Sequence, residues 1–104
     1  MKVILMAKYA PHALKGLIGG SDRRAAIKAL MDAIGGTVDS VVFTRGEYDV
    51  VVNIEVSDQV KLLGLVVAIK ASGAFEKAEY LEQIDIEKVI EVAHKAAQSY
   101  SPAG

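Results

Sequence analysis

The chain has 104 residues, with 12 Lys and Arg residues, 13 Asp and Glu residues and a formal net charge of −1. This length suits one domain, and the near-neutral charge excludes the basic face that non-specific nucleic-acid binding requires. Because the chain has no cysteine, a disulfide framework, a thiolate nucleophile and a cysteine zinc site are also excluded.

The N-terminal segment "KVILMAKY", residues 2 to 9, is rich in apolar residues and predicts a β-strand. It lacks the long apolar region and small-residue cleavage site of a signal peptide, so we expect a cytoplasmic protein. Pro11 to Ile18 predicts a short helix closed by Gly19 and Gly20, and Ser21 offers an N-cap for a longer helix. Four apolar residues at helical spacing form one stripe of that helix: Ile27, Leu30, Met31 and Ile34.

Residues 37 to 45 and 48 to 56 predict a β-hairpin. Gly46 and Glu47 between them suit a two-residue type II′ turn, in which glycine comes first. This turn aligns three pairs of residues across the two strands: Arg45 with Tyr48, Thr44 with Asp49 and Phe43 with Val50.

The C-terminal half begins with a helix from Asp58 to about Ser72 that is apolar on two sides, so we expect more than one neighbour to cover it. Its apolar run "LLGLVVAI", residues 62 to 69, is too short to span a membrane. Residues 75 to 84 predict a fourth strand, and Asp85 is the expected cap of a last helix. The stripe of this last helix has four members: Ile86, Val89, Ile90 and Ala93.

The order of elements is strand, helix, strand, strand, helix, strand, helix. Two successive strand–helix–strand halves predict an α+β ferredoxin-like βαββαβ fold with an extra C-terminal helix. Its four-stranded antiparallel sheet carries both main helices on one face. We expect one domain over residues 1 to 98 and a flexible tail over residues 99 to 104.

Alternation along the strands divides the side chains between two faces of the sheet. The helix side receives mainly apolar residues, with Arg45 and Tyr48 at its end: Val3, Leu5, Ala7, Val41, Phe43, Val50, Val52 and Ile54. The opposite face, here called the outer face, mixes apolar and polar residues: Ile4, Met6, Lys8, Ser40, Val42, Thr44, Asp49, Val51, Asn53 and Glu55.

The outer face suggests an interface and a binding site. Pairing two such faces would bury their apolar members and leave Lys8, Asn53 and Glu55 pointing into a shared space, as in a small-molecule pocket. Asp49, Asn53 and Glu55 could bind a polar ligand, or a carboxylate among them could act as a base. Alternatively, they form hydrogen bonds between subunits or face solvent.

Four other residues are candidates near this site. Tyr48 and Arg45 lie at a pocket mouth, or the Tyr48 ring packs under a helix. His12 follows the first strand and could lie near Lys8 and Tyr9 at a cavity entrance, where His12 or Tyr9 could act as acid or base. As an alternative, His12 is an exposed helix residue.

Cofactor and metal motifs do not occur in the sequence, and we expect neither group. His12 and His94 have no second ligand at helical spacing, which disfavours a metal site. Arg23 and Arg24 follow glycines at a helix start and could hold an anion, or they form a solvated face or interface salt bridges. The GK[ST] ending of a phosphate loop is missing.

Several blocks of the chain resemble the GYD family of small bacterial and archaeal proteins. The motif that names the family stands here as Gly46-Glu47-Tyr48-Asp49, with one residue between glycine and tyrosine. Four segments occur in the family's order: "MAKYAPHALKGL", "SDRR", "GGTVDSVVFTRGEYDVVV" and "SGAFEKAEYL". The sequence departs from the family at Asp22, where a proline is frequent, and in a fourth strand that carries charged residues: Lys77, Glu79 and Glu82.

The resemblance implies a dimeric α/β barrel, in which two ferredoxin-like sheets close on each other. We therefore expect a homodimer or higher homo-oligomer that binds a small organic molecule between its paired sheets and contacts neither nucleic acid nor membrane. The candidate ligand-binding residues are Lys8, Tyr9, His12, Tyr48, Asp49, Asn53 and Glu55. One alternative is a cofactor-independent oxygenase or isomerase that uses Asp49, His12 or Tyr9. Another is an oligomeric scaffold without a ligand.

Overall fold

The computed structural model describes residues 1 to 101 and contains every predicted helix and strand. The eight elements in chain order are β1 (Lys2–Tyr9), α1 (Pro11–Ile18), α2 (Arg23–Ala33), β2 (Thr37–Phe43), β3 (Val50–Glu55), α3 (Gln59–Ala71), β4 (Phe75–Glu82) and α4 (Ile86–Ser99). The strands form one antiparallel sheet in the order β2-β3-β1-β4. This order confirms the ferredoxin-like α+β fold with an extra C-terminal helix.

Aspartate side chains cap the three longer helices. Asp22 accepts a hydrogen bond from the Ala25 N–H at 3.0 Å, so Asp22 and not the predicted Ser21 caps α2. Asp22 has the extended backbone of an N-cap, and a carboxylate there also favours the positive end of the helix dipole. Asp58 and Asp85 cap α3 and α4 in the same way, as predicted for Asp85.

The connection between β2 and β3 is longer than the predicted two-residue turn. The register that pairs Phe43 with Val50 is confirmed, and the Thr44 N–H donates to the Asp49 carbonyl at 2.8 Å. The strands nevertheless end at these positions, so six residues connect them. The Thr44 hydroxyl donates to the Tyr48 carbonyl at 2.6 Å, and Gly46 supplies a φ of +141°. A side-chain bond to the backbone therefore closes this loop.

The core lies between the sheet and the two helices α2 and α3. Alternate residues of β1 and β3 are buried on the helix side, as predicted, and they pack against Met31, Leu62 and Leu65. The exception is Phe43 at the end of the edge strand β2, which is 40% exposed. The guanidinium of Arg24 lies 4.7 Å from the Phe43 ring centroid. This ring is therefore covered by a cation and not by the apolar side of a helix.

The two apolar sides of α3 have different environments. Leu62 and Leu65 are buried against the sheet, whereas Val60, Leu63 and Val67 are exposed. The sequence predicts a neighbour for both apolar sides of α3, but only the side with Leu62 and Leu65 packs against one. Within residues 1 to 101, no helix has both the length and the apolarity to cross a membrane.

The C-terminal helix α4 is exposed along its whole length. It includes Ser99, which the sequence assigns to the C-terminal tail, and residues 102 to 104 of that predicted tail lie outside the described part of the chain.

Gly36 is held in close contact with the core, which gives a test of the packing. A Cβ at Gly36 would lie 2.5 Å from the Met31 Cε and 3.0 Å from the Glu55 carbonyl oxygen. The Glu55 carbonyl belongs to the backbone of β3 and cannot turn aside as the Met31 side chain can, so Gly36→Ala should lower the free energy of unfolding by about 1–3 kcal/mol. Urea denaturation followed by circular dichroism measures this change.

Gly64 in α3 is the matched control, since a Cβ there meets no heavy atom within 4 Å. Gly64→Ala should raise the free energy of unfolding by about 0.5–1 kcal/mol, because alanine loses less backbone entropy in a helix. Two changes of the same sign and size would contradict this description of Gly36.

Candidate functional site

A cavity of about 250 Å³ lies between the sheet and the helices α2 and α3. Its lining is mainly apolar and comes from both layers: Leu5, Val50 and Val52 from the sheet, Ile27 and Leu30 from α2, and Leu65 and Ile69 from α3. An apolar space with a few polar groups is the usual form of a small-molecule site. The cavity is on the helix side, whereas the sequence predicts a pocket on the outer face.

Arg23 brings a cationic side chain to this cavity. It is the first residue of α2, lines the cavity, and has a fully buried Nε atom without a hydrogen-bond partner among residues 1 to 101. A buried donor without an acceptor costs about 1–3 kcal/mol. A ligand oxygen that accepts this bond would therefore be stabilised in the cavity.

Tyr9 is another polar residue of the cavity lining, which also includes Ser72 and Glu79. Its side chain is 3% exposed, and its ring stacks on Phe75 with 5.2 Å between ring centroids. Burial raises the pKa of Tyr9, the positive charge of Arg23 lowers it, and the negative charge of Asp49 raises it further. At neutral pH the phenol is therefore protonated and can donate a hydrogen bond.

Asp49 of the GYD motif fixes the end of β1 that carries Tyr9. Its Oδ2 accepts a hydrogen bond from the Tyr9 N–H at 2.9 Å, and its own N–H donates to the Ala7 carbonyl at 2.8 Å. On the other side of β1, the pairing with β4 shifts register between Lys8 and Tyr9. The carboxylate thus holds the strand next to an irregularity, and its role here is to position Tyr9.

Tyr48 of the motif lies on the outer side of the sheet. Its hydroxyl donates to the carboxylate of Glu79, which pairs with the outer-face residue Met6, and the Lys77 ammonium lies 5.2 Å from its ring centroid. The predicted position under a helix is therefore wrong. Strict alternation of faces requires strand geometry, and the chain leaves that geometry before Tyr48.

This contact changes the protonation of both partners. The hydrogen bond from Tyr48 lowers the pKa of Glu79, and the same bond raises the pKa of Tyr48. The Lys77 ammonium lies 3.1 Å from the Glu47 carboxylate, and this hydrogen bond raises the pKa of Lys77. Hydrogen bonds and ion pairs thereby join the motif loop to β4.

The remaining predicted site residues are dispersed in the single chain. Asn53 donates to the Ser40 hydroxyl at 2.8 Å across the outer face, and Glu55 is exposed at the end of β3. Lys8 lies 3.7 Å from the Glu76 carboxylate, and His12 is exposed on α1. Of the seven predicted ligand-binding residues, only Tyr9 lines the cavity.

The spacing of Arg23 in the sequence indicates its position beside the cavity. Arg23 precedes Ile27 by four residues and Leu30 by seven, so it lies on the apolar stripe of α2. Arg24, its neighbour, points to Phe43 instead. Among residues 1 to 101, no group of three acidic, histidine or cysteine side chains could hold a metal ion.

The fold and the cavity define a small α+β protein with a mainly apolar cavity beneath two helices. The GYD domain model matches residues 3 to 93, and the chain belongs to the GYD domain family. This confirms the resemblance carried by the Gly46–Asp49 motif and its flanking blocks. No curated protein sequence matches the chain significantly.

Three solved structures are similar to the chain in backbone and share little sequence with it. MtbAldR superposes with a TM-score of 0.53 at 17% identity over 81% of this chain and 52% of its own, so the chain spans about half of that protein. FFRP-DM1 gives a TM-score of 0.49 at 19% identity, over 80% of this chain and 97% of its own. The dehydrochlorinase TftG from Burkholderia phenoliruptrix AC1100, in complex with 2,5-dihydroxybenzoquinone, gives 0.47 at 14% identity, over 81% of this chain and 94% of its own. The likeness to MtbAldR shows the fold and not the activity.

The role of Asp49 can be tested by removing its acceptor oxygen. Asp49→Ala leaves the partly buried Tyr9 N–H without its partner and should lower the free energy of unfolding by about 1–3 kcal/mol. Asp49→Asn keeps an acceptor oxygen and should lower the free energy of unfolding by less than half as much. Chemical denaturation measures both, and equal losses would show that the hydrogen bond is not what Asp49 contributes.

The contact between Tyr48 and Glu79 predicts a pH dependence. Since the folded pKa of Glu79 lies below its ordinary value of 4.5, its stabilising contribution is present above pH 4.5 and is lost as the pH falls through the folded pKa. Tyr48→Phe keeps the ring but removes the donor, so the Glu79 pKa should rise and acidification should destabilise the variant less. Carboxyl ¹³C NMR titration measures this pKa; an unchanged value in Tyr48→Phe would contradict the account.

Proposed function

We propose that the protein binds a small organic molecule with an apolar body and one anionic, hydrogen-bond-accepting group in the cavity between the sheet and α2 and α3. The buried, unpartnered Nε of Arg23 is the observation that carries this proposal. Tyr9 supplies a protonated phenol that can bond to a second ligand atom.

The size and lining of the cavity set the ligand class. A volume of about 250 Å³ is slightly below the range of about 300–1,000 Å³ found for small-molecule sites, which favours a compact ligand. Apolar side chains surround most of it, so an aromatic or alicyclic ring suits the body of the ligand. A carboxylate suits Arg23, because a guanidinium donates to planar oxygen pairs.

We also propose that the protein is a homodimer that covers the outer face of the sheet, as the GYD resemblance implies. On this face Val42 and Leu81 are exposed, and Ile4, Met6 and Val51 are half-buried. Such a continuous apolar surface is typical of an interface. The enclosure of Lys8, Asn53 and Glu55 between two subunits belongs to this part of the proposal. A mass of 11.1 kDa by light scattering at micromolar concentration would contradict it.

The ligand proposal is tested with a matched pair of probes, 2-naphthoate and the uncharged 2-naphthalenemethanol, by isothermal titration calorimetry. The wild type should bind 2-naphthoate more tightly, because only the carboxylate pairs with Arg23. Arg23→Met should weaken 2-naphthoate by about tenfold or more, the value of one charged hydrogen bond, and change the alcohol by less than twofold.

Arg24→Met is the control variant, since it removes the same charge from the neighbouring position, where the guanidinium lies over Phe43. It should leave the affinity for both probes within twofold of the wild type. Equal effects of the two substitutions, or equal affinities of the wild type for the two probes, would contradict the assignment of Arg23 as the anion-binding residue.

A further inference from the structure

Helix α3 has an apolar side that faces away from the sheet, here called its far side. Leu62 and Leu65 are buried against the sheet on the opposite side of the helix. The far side has four exposed members, none of them charged: Val60, Leu63, Val67 and Ala71. Because a helix that is apolar all round is normally covered on all sides, the far side requires a second neighbour.

Helix α4 carries an apolar stripe that is also exposed. The stripe consists of Ile86, Val89, Ile90 and Ala93, and its three larger side chains are between 46% and 50% exposed. A helix of 14 residues is only marginally stable in water by its own propensity, so the stripe requires a surface to pack against. The charged residues lie on the opposite side of the helix: Glu87, Lys88, Glu91 and Lys95. Their charges balance, whereas helices that bind anionic membranes are rich in lysine and arginine.

The far side of α3 and the stripe of α4 match in length and in spacing. The two helices have 13 and 14 residues, so each is about 20 Å long. Leu63 and Val67 follow Val60 by three and seven residues, and the stripe of α4 repeats this spacing from Ile86. Two such surfaces can pack along their whole length, with the side chains of one helix between those of the other.

The connection between β4 and α4 is too short for α4 to cover the far side of its own α3. The Gln83 N–H donates to the Lys2 carbonyl at 2.9 Å, which holds residue 83 on the sheet. Only Ile84 and Asp85 lie between Gln83 and α4, and a connection of this length reaches about 10 Å at most. A helix on the far side would lie beyond the whole diameter of α3, about 10–12 Å, plus half of its own. A far side that receives the stripe therefore belongs to another chain.

The dimensions of the chain leave enough surface for such a contact. It exposes 7136 Å², whereas a compact chain of 11.1 kDa exposes about 5,700 Å². Its radius of gyration is 17.6 Å, against about 13 Å for a compact domain of this length. The excess of about 1,400 Å² is larger than the roughly 800 Å² that each partner buries in a typical stable interface.

We propose that α4 packs its stripe on the far side of α3 in a second copy of this chain, and that the second copy returns the same contact. The two helix pairs are then related by a two-fold axis, as in most homodimers. The outer face of the sheet takes no part in this contact, so it stays available for the sheet dimer proposed above. A chain that uses both surfaces forms a tetramer with two kinds of interface.

Sedimentation equilibrium of a Val42→Glu variant separates the two kinds of interface. Val42 is 48% exposed on the outer face, so a glutamate there should break the sheet dimer and leave the fold intact. The variant should still be a dimer, held by α3 and α4. A monomeric variant beside a dimeric wild type would overturn this inference and leave the sheet dimer standing. A wild type that is only dimeric, like the variant, would contradict the sheet dimer, and a monomeric wild type would contradict both.

Charge substitutions in the Val42→Glu chain then identify the two helices. Leu63→Glu on the far side and Ile90→Lys in the stripe should each raise the dimer dissociation constant at least tenfold. Both positions are exposed, so each chain should keep its fold, which circular dichroism checks. Gln98→Glu on the polar side of α4 is the matched control and should change the constant less than twofold.

Mixing the Leu63→Glu and Ile90→Lys chains distinguishes a contact between α3 and α4 from a contact between two copies of one helix. The mixture should dimerise within threefold of the parent Val42→Glu chain, because one contact then has both native residues and the other pairs opposite charges. A loss confined to one of the two variants, dimers that persist in both, or no recovery on mixing would overturn the inference.

Discussion

The two faces of the four-stranded sheet are covered unequally, and the other features of the molecule follow from this difference. On one face α2 and α3 bury the alternate residues of β1 and β3. On the other face no helix among residues 1 to 101 packs over the strands, and α4 points away from them. The first face therefore contains the cavity within one chain, whereas the second leaves apolar side chains such as Val42 and Leu81 exposed to water.

The cavity depends on residues that hold the strand ends as much as on those that line it. Tyr9 is the last residue of β1, and the carboxylate of Asp49 bonds to its backbone where the pairing with β4 changes register. The GYD motif in this chain thus divides into two structural tasks. Its aspartate positions a cavity residue, and its tyrosine joins the loop to Glu79 on β4. A motif residue can therefore shape a cavity without lining it.

The sequence predicts the fold well because period and capping are local signals. Alternation along β1 and β3 identifies the buried face, and aspartates mark the starts of α3 and α4. The site was predicted less well because it depends on the environment of single side chains. Asp49 falls on the outer face by alternation, yet its carboxylate turns to a backbone N–H of β1.

Two positions show where alternation and helical spacing reach their limits. Tyr48 does not follow the alternation of faces because the chain leaves strand geometry after Phe43, and the hydrogen bond from the Thr44 hydroxyl to the Tyr48 carbonyl closes the loop. Arg23 shares the spacing of an apolar stripe. Its charge alone suggests that it faces solvent or binds an anion at the helix start. Its burial beside a cavity depends on tertiary packing, which a sequence pattern does not reveal.

The central claim is that Arg23 holds an anionic molecule in the cavity beneath α2 and α3. Native mass spectrometry of the protein purified from its own host tests this claim most directly. The account predicts one small acidic molecule per chain, released on unfolding and absent from Arg23→Met. A bound molecule retained equally by wild type and Arg23→Met would contradict it.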